Sequence, residues 1–160
     1  MDSGMRKAIG LIPTRLESKR LPGKALLDLD GLPMIVHTAK RAQLSKYLKD
    51  VYVCTDSNEI IKVCKKNNIK TIKTHKNFNN GTERIASVAK KINEKIIIDI
   101  QGDEPLIKPS YIDKLVKIHI KHKLRPEIII PSIETNYAAD DTNVRVLSSL
   151  SGRIMYLSRA

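Results

Sequence analysis

The chain has 160 residues and 41% hydrophobic content, enough for one globular domain with a core of isoleucine and leucine, since aromatics make up only 4% and Trp is absent. Its net charge of +12 admits a nucleic-acid binder or an enzyme for anionic substrates. The basic clusters Lys65-Lys66, Lys90-Lys91 and Lys121-His122-Lys123 are spread over several segments without interleaved aromatics, which argues against a base-stacking surface, and no stretch is apolar enough to span a membrane.

In chain order the pattern alternates strand and helix. Residues 1–6 read as an N-terminal extension without the apolar centre of a signal peptide, with Met5 as the natural start. Lys7–Ile12 reads as a first strand. Pro33–Leu44 reads as a helix with Pro33 at its first position and Met34, Ile35, His37, Thr38 and Ala42 at helical spacing. Val51–Cys54 is a second strand ending in Thr55-Asp56. Asn58–Asn67 is a helix capped by Ser57, and Ile69–Ile72 is a third strand.

Gly81–Ile92 reads as a helix that Asn80 can cap, with Glu83 placed as in a capping box. Lys95–Ile100, nearly all isoleucine, reads as a fourth strand buried on both faces. Pro109–Lys121 is a helix and Glu127–Ile133 a fifth strand. Val144–Ser148 and Arg153–Leu157 flank Ser151-Gly152 as a hairpin. This order predicts an α/β fold: a doubly wound, mostly parallel sheet with helices on both faces. Residues 7–160 form one nucleotide-binding domain, expected to be incomplete at its C-terminus because the chain stops directly after a strand.

Three segments carry chemistry. The first is the loop after strand one, Pro13-Thr-Arg-Leu-Glu-Ser-Lys-Arg-Leu-Pro-Gly-Lys24. Pro13, Pro22 and Gly23 keep it from becoming a helix, and it gathers Arg15, Lys19, Arg20 and Lys24 at the carboxyl edge of the sheet, where open α/β sheets bind ligands. Its spacing is neither a Walker A loop nor a Rossmann fingerprint, so side-chain cations rather than a glycine nest would hold a triphosphate. The second is Asp99-Ile-Gln-Gly-Asp-Glu-Pro-Leu106. Asp103 and Glu104 are hard oxygen donors of the kind magnesium shares with substrate phosphates. The third is Asn79-Asn-Gly-Thr-Glu-Arg-Ile85, where a helix N-terminus attracts anions or polar base edges and Arg84 can reach a ligand from the first turn. Glu83 suits capping equally well, and a surface position is the ordinary reading of Arg84.

Other residues carry less. Cys54 and Cys64 form no Cys-x-x-Cys pair and read as buried, reduced thiols. His119 and His122 lack the further ligands of a zinc site, and His37 reads as a packed core histidine. No Gly-x-Ser-x-Gly elbow is present, which argues against a serine hydrolase.

Together with Pro33-Met-Ile-Val-His37, Thr55-Asp56, Gly81-Thr-Glu-Arg84, Gln101-Gly-Asp-Glu-Pro105, Asn143-Val-Arg-Val146 and Ser158-Arg-Ala160, the first loop resembles, in order and over the whole chain, the cytidylyltransferases that activate sugar acids. It looks closest to the 3-deoxy-manno-octulosonate (Kdo) cytidylyltransferase, or CMP-Kdo synthetase, family. The resemblance implies a nucleotide-diphospho-sugar transferase (Rossmann-like) fold. It also implies a cytoplasmic, magnesium-dependent enzyme that joins CTP and Kdo into CMP-Kdo and pyrophosphate for lipopolysaccharide biosynthesis. By that resemblance Arg15, Ser18, Arg20 and Lys24 hold the CTP phosphates, and Gly81 and Arg84 lie by the nucleotide. Asp103 binds magnesium, Lys24 and Asp103 are the catalytic pair, and Gln101 and Arg159 face the sugar acid. No nucleic-acid or membrane partner is implied, and the full-length form would be a homodimer.

Thr14, Leu16, Glu17, Lys19 and Arg145 depart from the usual family residues. They leave open an 8-amino relative of Kdo or a nonulosonate-type acid. A basic nucleic-acid-binding domain and a folded but inactive fragment are the readings from other classes.

Overall fold

The first apolar run becomes β1 (Ala8–Pro13), all six residues buried, because it takes a parallel neighbour on each side. The computed structural model describes residues 8–17, 21–122, 126–134 and 144–158. They fall into two units, Met1–Pro126 and Glu127–Ala160.

In the first unit a 3-10 turn at Lys24–Leu26 leads into a small antiparallel hairpin, β2 (Asp28–Leu29) with β3 (Leu32–Pro33). Asp30 and Gly31 turn it, both at positive φ, and Asp28 Oδ1 accepts from the Gly31 N–H at 2.9 Å. Such Asp-Gly turns match the twist of paired strands. Helix α1 (Met34–Gln43) follows, with Pro33 as its N-cap rather than its first residue. Then come β4 (Leu48–Thr55), α2 (Asn58–Lys66), β5 (Lys70–Lys73), α3 (Gly81–Ala89), β6 (Ile97–Asp99) and α4 (Pro109–Lys121).

The sheet order is β5-β4-β1-β6, and every pairing is parallel. Alternation along the strands divides the apolar residues between two faces. Ala8 and Ile12 of β1 and Val51 and Val53 of β4 pack with Ile35 of α1, Ile60 of α2, and Ile112 and Val116 of α4. Ile9, Leu11 and Cys54 pack on the other face with Ile85 and Val88 of α3. Each fully buried isoleucine contributes roughly 1.5–3 kcal/mol, so aliphatic side chains suffice for this core. The α/β, mostly parallel architecture is the one the sequence predicts.

The caps follow the sequence closely. Ser57 Oγ accepts from the Ile60 N–H at 3.3 Å, and Asn80 Oδ1 accepts from the Glu83 N–H at 2.9 Å. Glu83 reaches back one residue further than a capping box would, its Oε2 accepting from the Asn79 N–H at 3.0 Å. His37 is half-buried, and its Nε2 lies 2.6 Å from the Leu29 carbonyl oxygen.

Two strand expectations differ. The isoleucine run is not buried on both faces: β6 covers only Ile97–Asp99, with two residues half-buried and Asp99 exposed. Among the described residues β6 pairs with β1 alone, so it is an edge strand. Glu127–Ile133 forms no strand. β-branched side chains make a strand only where a neighbour completes the ladder, and Pro131 interrupts this run. The second unit instead contains an antiparallel hairpin, β7 (Arg145–Ser148) with β8 (Ile154–Ser158), turning through Gly152 at φ +82°.

Candidate active site

Strands β4 and β5 lie to one side of β1 and β6 to the other, so the sheet has its switch point beside β1. A crevice at the carboxyl ends of the strands is the usual consequence. A cleft of about 230 Å³ lies there. Pro13, Thr14 and Arg15 line it after β1, and Lys24, Ala25 and Met34 line it from the segment that follows. Phe78, Asn80, Gly81 and Arg84 surround the start of α3, and Gln101, Gly102 and Asp103 follow β6. The expected site residues Arg15, Lys24, Gly81, Arg84, Gln101 and Asp103 therefore share one cleft. Ser18, Arg20 and Arg159 lie outside the described residues.

Close packing sets the walls. A Cβ on Gly102 would stand 2.9 Å from the Pro13 carbonyl oxygen, and one on Gly81 would stand 2.9 Å from Pro13 Cγ. Only glycine lets the loop after β6 and the start of α3 approach the end of β1 this closely. The Thr38 hydroxyl, buried on α1, lies 3.2 Å from both the Gly102 and Met34 carbonyl oxygens and ties the acidic loop to α1. Further along, Arg41 Nε donates to the Ile107 carbonyl at 2.9 Å.

Lys24 enters from the opposite wall. Gly23 adopts a left-handed φ of +71°, and its N–H donates to the Leu16 carbonyl at 3.0 Å, which folds the cationic loop back on itself. Lys24 then begins the 3-10 turn, and its Nζ donates to Asp103 Oδ2 at 2.8 Å.

Arg84 lines the cleft, as a ligand-side residue would, but departs from the surface reading. It is no surface residue: its side chain is 4% exposed, and its Nη1 lies 2.8 Å from Asp56 Oδ1. The contact is an ion pair without hydrogen-bond alignment, since that buried carboxylate oxygen has no hydrogen-bond partner among the described residues. The same nitrogen donates to Thr74 Oγ1 and, at 3.2 Å, to the His75 carbonyl. The guanidinium sits 5.4 Å from the Phe78 ring centroid, in the range of a cation–π contact. Arg84 thus joins the end of β4, the segment after β5 and the cleft wall, although it stays within the lining.

Phe78 and Thr38 are structural members of the site to which the sequence assigned no role, and Asp56 entered only as part of the Thr55-Asp56 segment, without a role of its own. Asp56 had a usable signal, a carboxylate directly after a buried strand. Phe78 had a weaker one, the chain's one phenylalanine just before the Asn-Asn-Gly turn.

Asp99 and Gln101 form a second polar pair at the end of β6. Gln101 Nε2 donates to Asp99 Oδ1 at 2.8 Å, and Thr82 Oγ1 lies 3.5 Å from Asp99 Oδ2. Desolvation pushes the Asp99 pKa above the usual carboxylate value although the residue is exposed, and the hydrogen bonds from Gln101 and Thr82 oppose it. Both cysteines are buried and free. Burial pushes the Cys54 thiol from the usual 9.0 to about 12, with Arg84 pulling the other way, and Cys64 to about 11. Neither supplies a thiolate nucleophile at neutral pH.

The cleft therefore offers Arg15 and Lys24 to an anion, one exposed carboxylate beside Lys24, and no activated nucleophile among the described residues. That inventory suits a reaction run by positioning and charge neutralisation.

Known proteins resemble this chain in sequence and fold. A family model described as cytidylyltransferase matches residues 9–159. The 3-deoxy-manno-octulosonate cytidylyltransferase of Chloroherpeton thalassium (strain ATCC 35110 / GB-78) is 36% identical over 158 residues, which cover 96% of this chain and 64% of that protein. The protein of the same name from a Nitratiruptor species is 37% identical over 157 residues, covering 94% and 65%. A solved structure of CMP:2-keto-3-deoxy-manno-octonic acid synthetase complexed with CTP superposes with a TM-score of 0.83 at 32% identity, covering 96% of this chain and 64% of that one. A cytidylyltransferase from Leptospira borgpetersenii serovar Hardjo-bovis follows at a TM-score of 0.65 and 29% identity, covering 74% and 50%. The chain spans just under two thirds of the two curated relatives' length. With the family model matched over nearly all of its residues, the chain belongs to the cytidylyltransferase family.

Proposed function

We propose that this chain forms the CTP-binding part of an enzyme that transfers CMP from CTP to the anomeric hydroxyl of 3-deoxy-manno-octulosonate, releasing pyrophosphate, for lipopolysaccharide biosynthesis. The observation that carries the reading is the meeting of Lys24 and Asp103 across one cleft, from positions 79 residues apart. It is supported by the likeness to a synthetase structure complexed with CTP.

In this reading the sugar's anomeric oxygen attacks the α-phosphorus in line. The new O–P bond forms as the bond from the α-phosphorus to the bridging β-phosphate oxygen breaks, pyrophosphate leaves with that electron pair, and the hydroxyl proton passes to water. Arg15 and Lys24, with Ser18 and Arg20, hold the triphosphate; bidentate geometry suits Arg15 and point charge suits Lys24. Gly81 brings the start of α3 against the nucleotide, and Arg84 fixes the wall beside it. Gln101 and Arg159 face the sugar acid.

The reaction is read as magnesium-dependent. Among the described residues no group of three or more His, Cys, Asp or Glu side chains comes together to hold a metal. A single exposed carboxylate such as Asp103 nevertheless fits magnesium, which commonly binds through one or two carboxylates and substrate phosphates. When bound, the ion supplies charge neutralisation at the phosphates and acidifies the attacking hydroxyl.

The same reading makes the protein cytoplasmic and, in its full-length form, a homodimer, with no nucleic-acid or membrane partner. Among the described residues no helix is long and apolar enough to cross a membrane. Pyrophosphate release from CTP with magnesium and a panel of sugar acids tests the assignment. Release with 3-deoxy-manno-octulosonate above all others is expected; preferential release with an 8-amino or nonulosonate-type acid would reassign the sugar.

A further inference from the structure

We infer that Asp99 is a positioning residue for sugar selection, because it pins the Gln101 side chain with its amide nitrogen held back and its oxygen left to the cleft. An ionised carboxylate only accepts hydrogen bonds, so the Gln101 atom 2.8 Å from Asp99 Oδ1 has to be the NH₂ group. Asp99 thereby fixes an amide orientation that would otherwise be free to flip. Thr82, in the first turn of α3, approaches the other carboxylate oxygen at 3.5 Å, so Asp99 is held from both sides.

Asp99 takes one of the two Nε2 hydrogens and so turns Oε1 to the other side of the amide. Gln101 lines the cleft, and its Oε1 lies 3.9 Å from where a Cβ on Gly81 would stand, at the start of α3. An amide oxygen there accepts from a ligand hydroxyl and disfavours a carboxylate or phosphate oxygen. At that point Gln101 accordingly reads a sugar hydroxyl rather than an acid oxygen. Asp99 is not among the residues that line the cleft, so its part in selection runs through Gln101. The inference rests on the sugar-acid reading above, but the pin itself is a property of the free chain.

Two readouts separate the pin from that reading. In a ¹⁵N-labelled chain, the Gln101 side-chain NH₂ pair is assigned by its loss in Gln101→Leu. It should be displaced from the free-amide position in the wild type, return to that position in Asp99→Leu, and stay displaced in Asp99→Asn, whose amide oxygen still accepts. An unmoved pair in Asp99→Leu would overturn the pin. Sugar-acid affinity is then measured with CTP present. Loss of one oriented hydrogen bond predicts binding about 10-fold weaker in Asp99→Leu, largely restored in Asp99→Asn, with CTP affinity unchanged in both. Equal weakening of CTP and sugar, or no weakening of either, would overturn the role in selection. A wild-type chain with the pin intact but no sugar-acid affinity would refute the sugar-acid reading and leave the positioning of Gln101 standing.

Discussion

Lys24 Nζ stands 2.8 Å from Asp103 Oδ2, a contact made by the cationic loop after β1 with the acidic loop after β6. Both side chains remain partly open to solvent, at 38% and 47% exposure. A pair this exposed contributes about 0–1 kcal/mol to stability after screening. Its placement at the cleft points to ligand binding instead. Lys24→Met should change the thermal midpoint by no more than a few degrees. Losing one charge-assisted contact to phosphate, worth about 1.5–3 kcal/mol, should weaken CTP binding roughly 10- to 100-fold. Calorimetric titration beside a thermal melt checks both. A large loss of stability with unchanged CTP affinity would make the pair structural.

Arg84 makes the opposite prediction. Its side chain is 4% exposed and that of Asp56 17%, so Arg84→Ala would leave a carboxylate buried without its counter-charge. The expected cost is about 3 kcal/mol, read by urea denaturation. Arg84→Lys should recover only part of this, because Thr74, His75 and Asp56 all meet Nη1, an atom the shorter lysine side chain does not reach without moving. If Arg84→Ala weakened CTP binding and left the denaturation midpoint unmoved, Arg84 would be a ligand contact rather than a strut.

At Gly102 the obstacle is backbone. A new Cβ would lie 2.9 Å from the Pro13 carbonyl oxygen, which cannot swing aside as a side chain can. Gly102→Ala should cost about 1–3 kcal/mol by overpacking and weaken CTP binding by displacing the adjacent Asp103. Wild-type stability and affinity in this variant would show that the approach of the two loops is slack.

The thiols give a pH dependence with a definite sign. Cys54 and Cys64 have folded pKa values raised from 9.0 to about 12 and about 11, chiefly by burial. A raised pKa means that the unfolded chain loses protons first. The favourable contribution is therefore complete below pH 9 and disappears as pH climbs toward 11 and 12. Native protein at pH 8 should accordingly resist an aromatic disulfide reagent, and both thiols should react once urea unfolds the chain. Fast labelling of the native protein would show that one of them is accessible.

Much of the site was legible because its residues sit at strand ends. Pro13–Lys24 and Gln101–Asp103 each follow an apolar run, and parallel strands deliver such segments to one edge. What the sequence could not show is which charges find each other across that edge. Arg84 reads as ligand-facing or exposed from the sequence; the fold keeps it in the cleft lining and adds Asp56, Thr74 and Phe78 around it. The β2–β3 hairpin has a local signal, Asp30-Gly31 between apolar residues, but its strands are only two residues long and leave no alternation to read. The run Glu127–Ile133 had strand propensity but no ladder, and a ladder is a property of two segments rather than one.

The most direct test of the central claim is calorimetric titration of the chain with CTP in the presence of magnesium, against UTP, GTP and ATP. Clear preference for CTP, reduced in Lys24→Met, is the predicted result. No nucleotide binding by a chain whose circular dichroism shows it folded would contradict the assignment of this cleft to CTP.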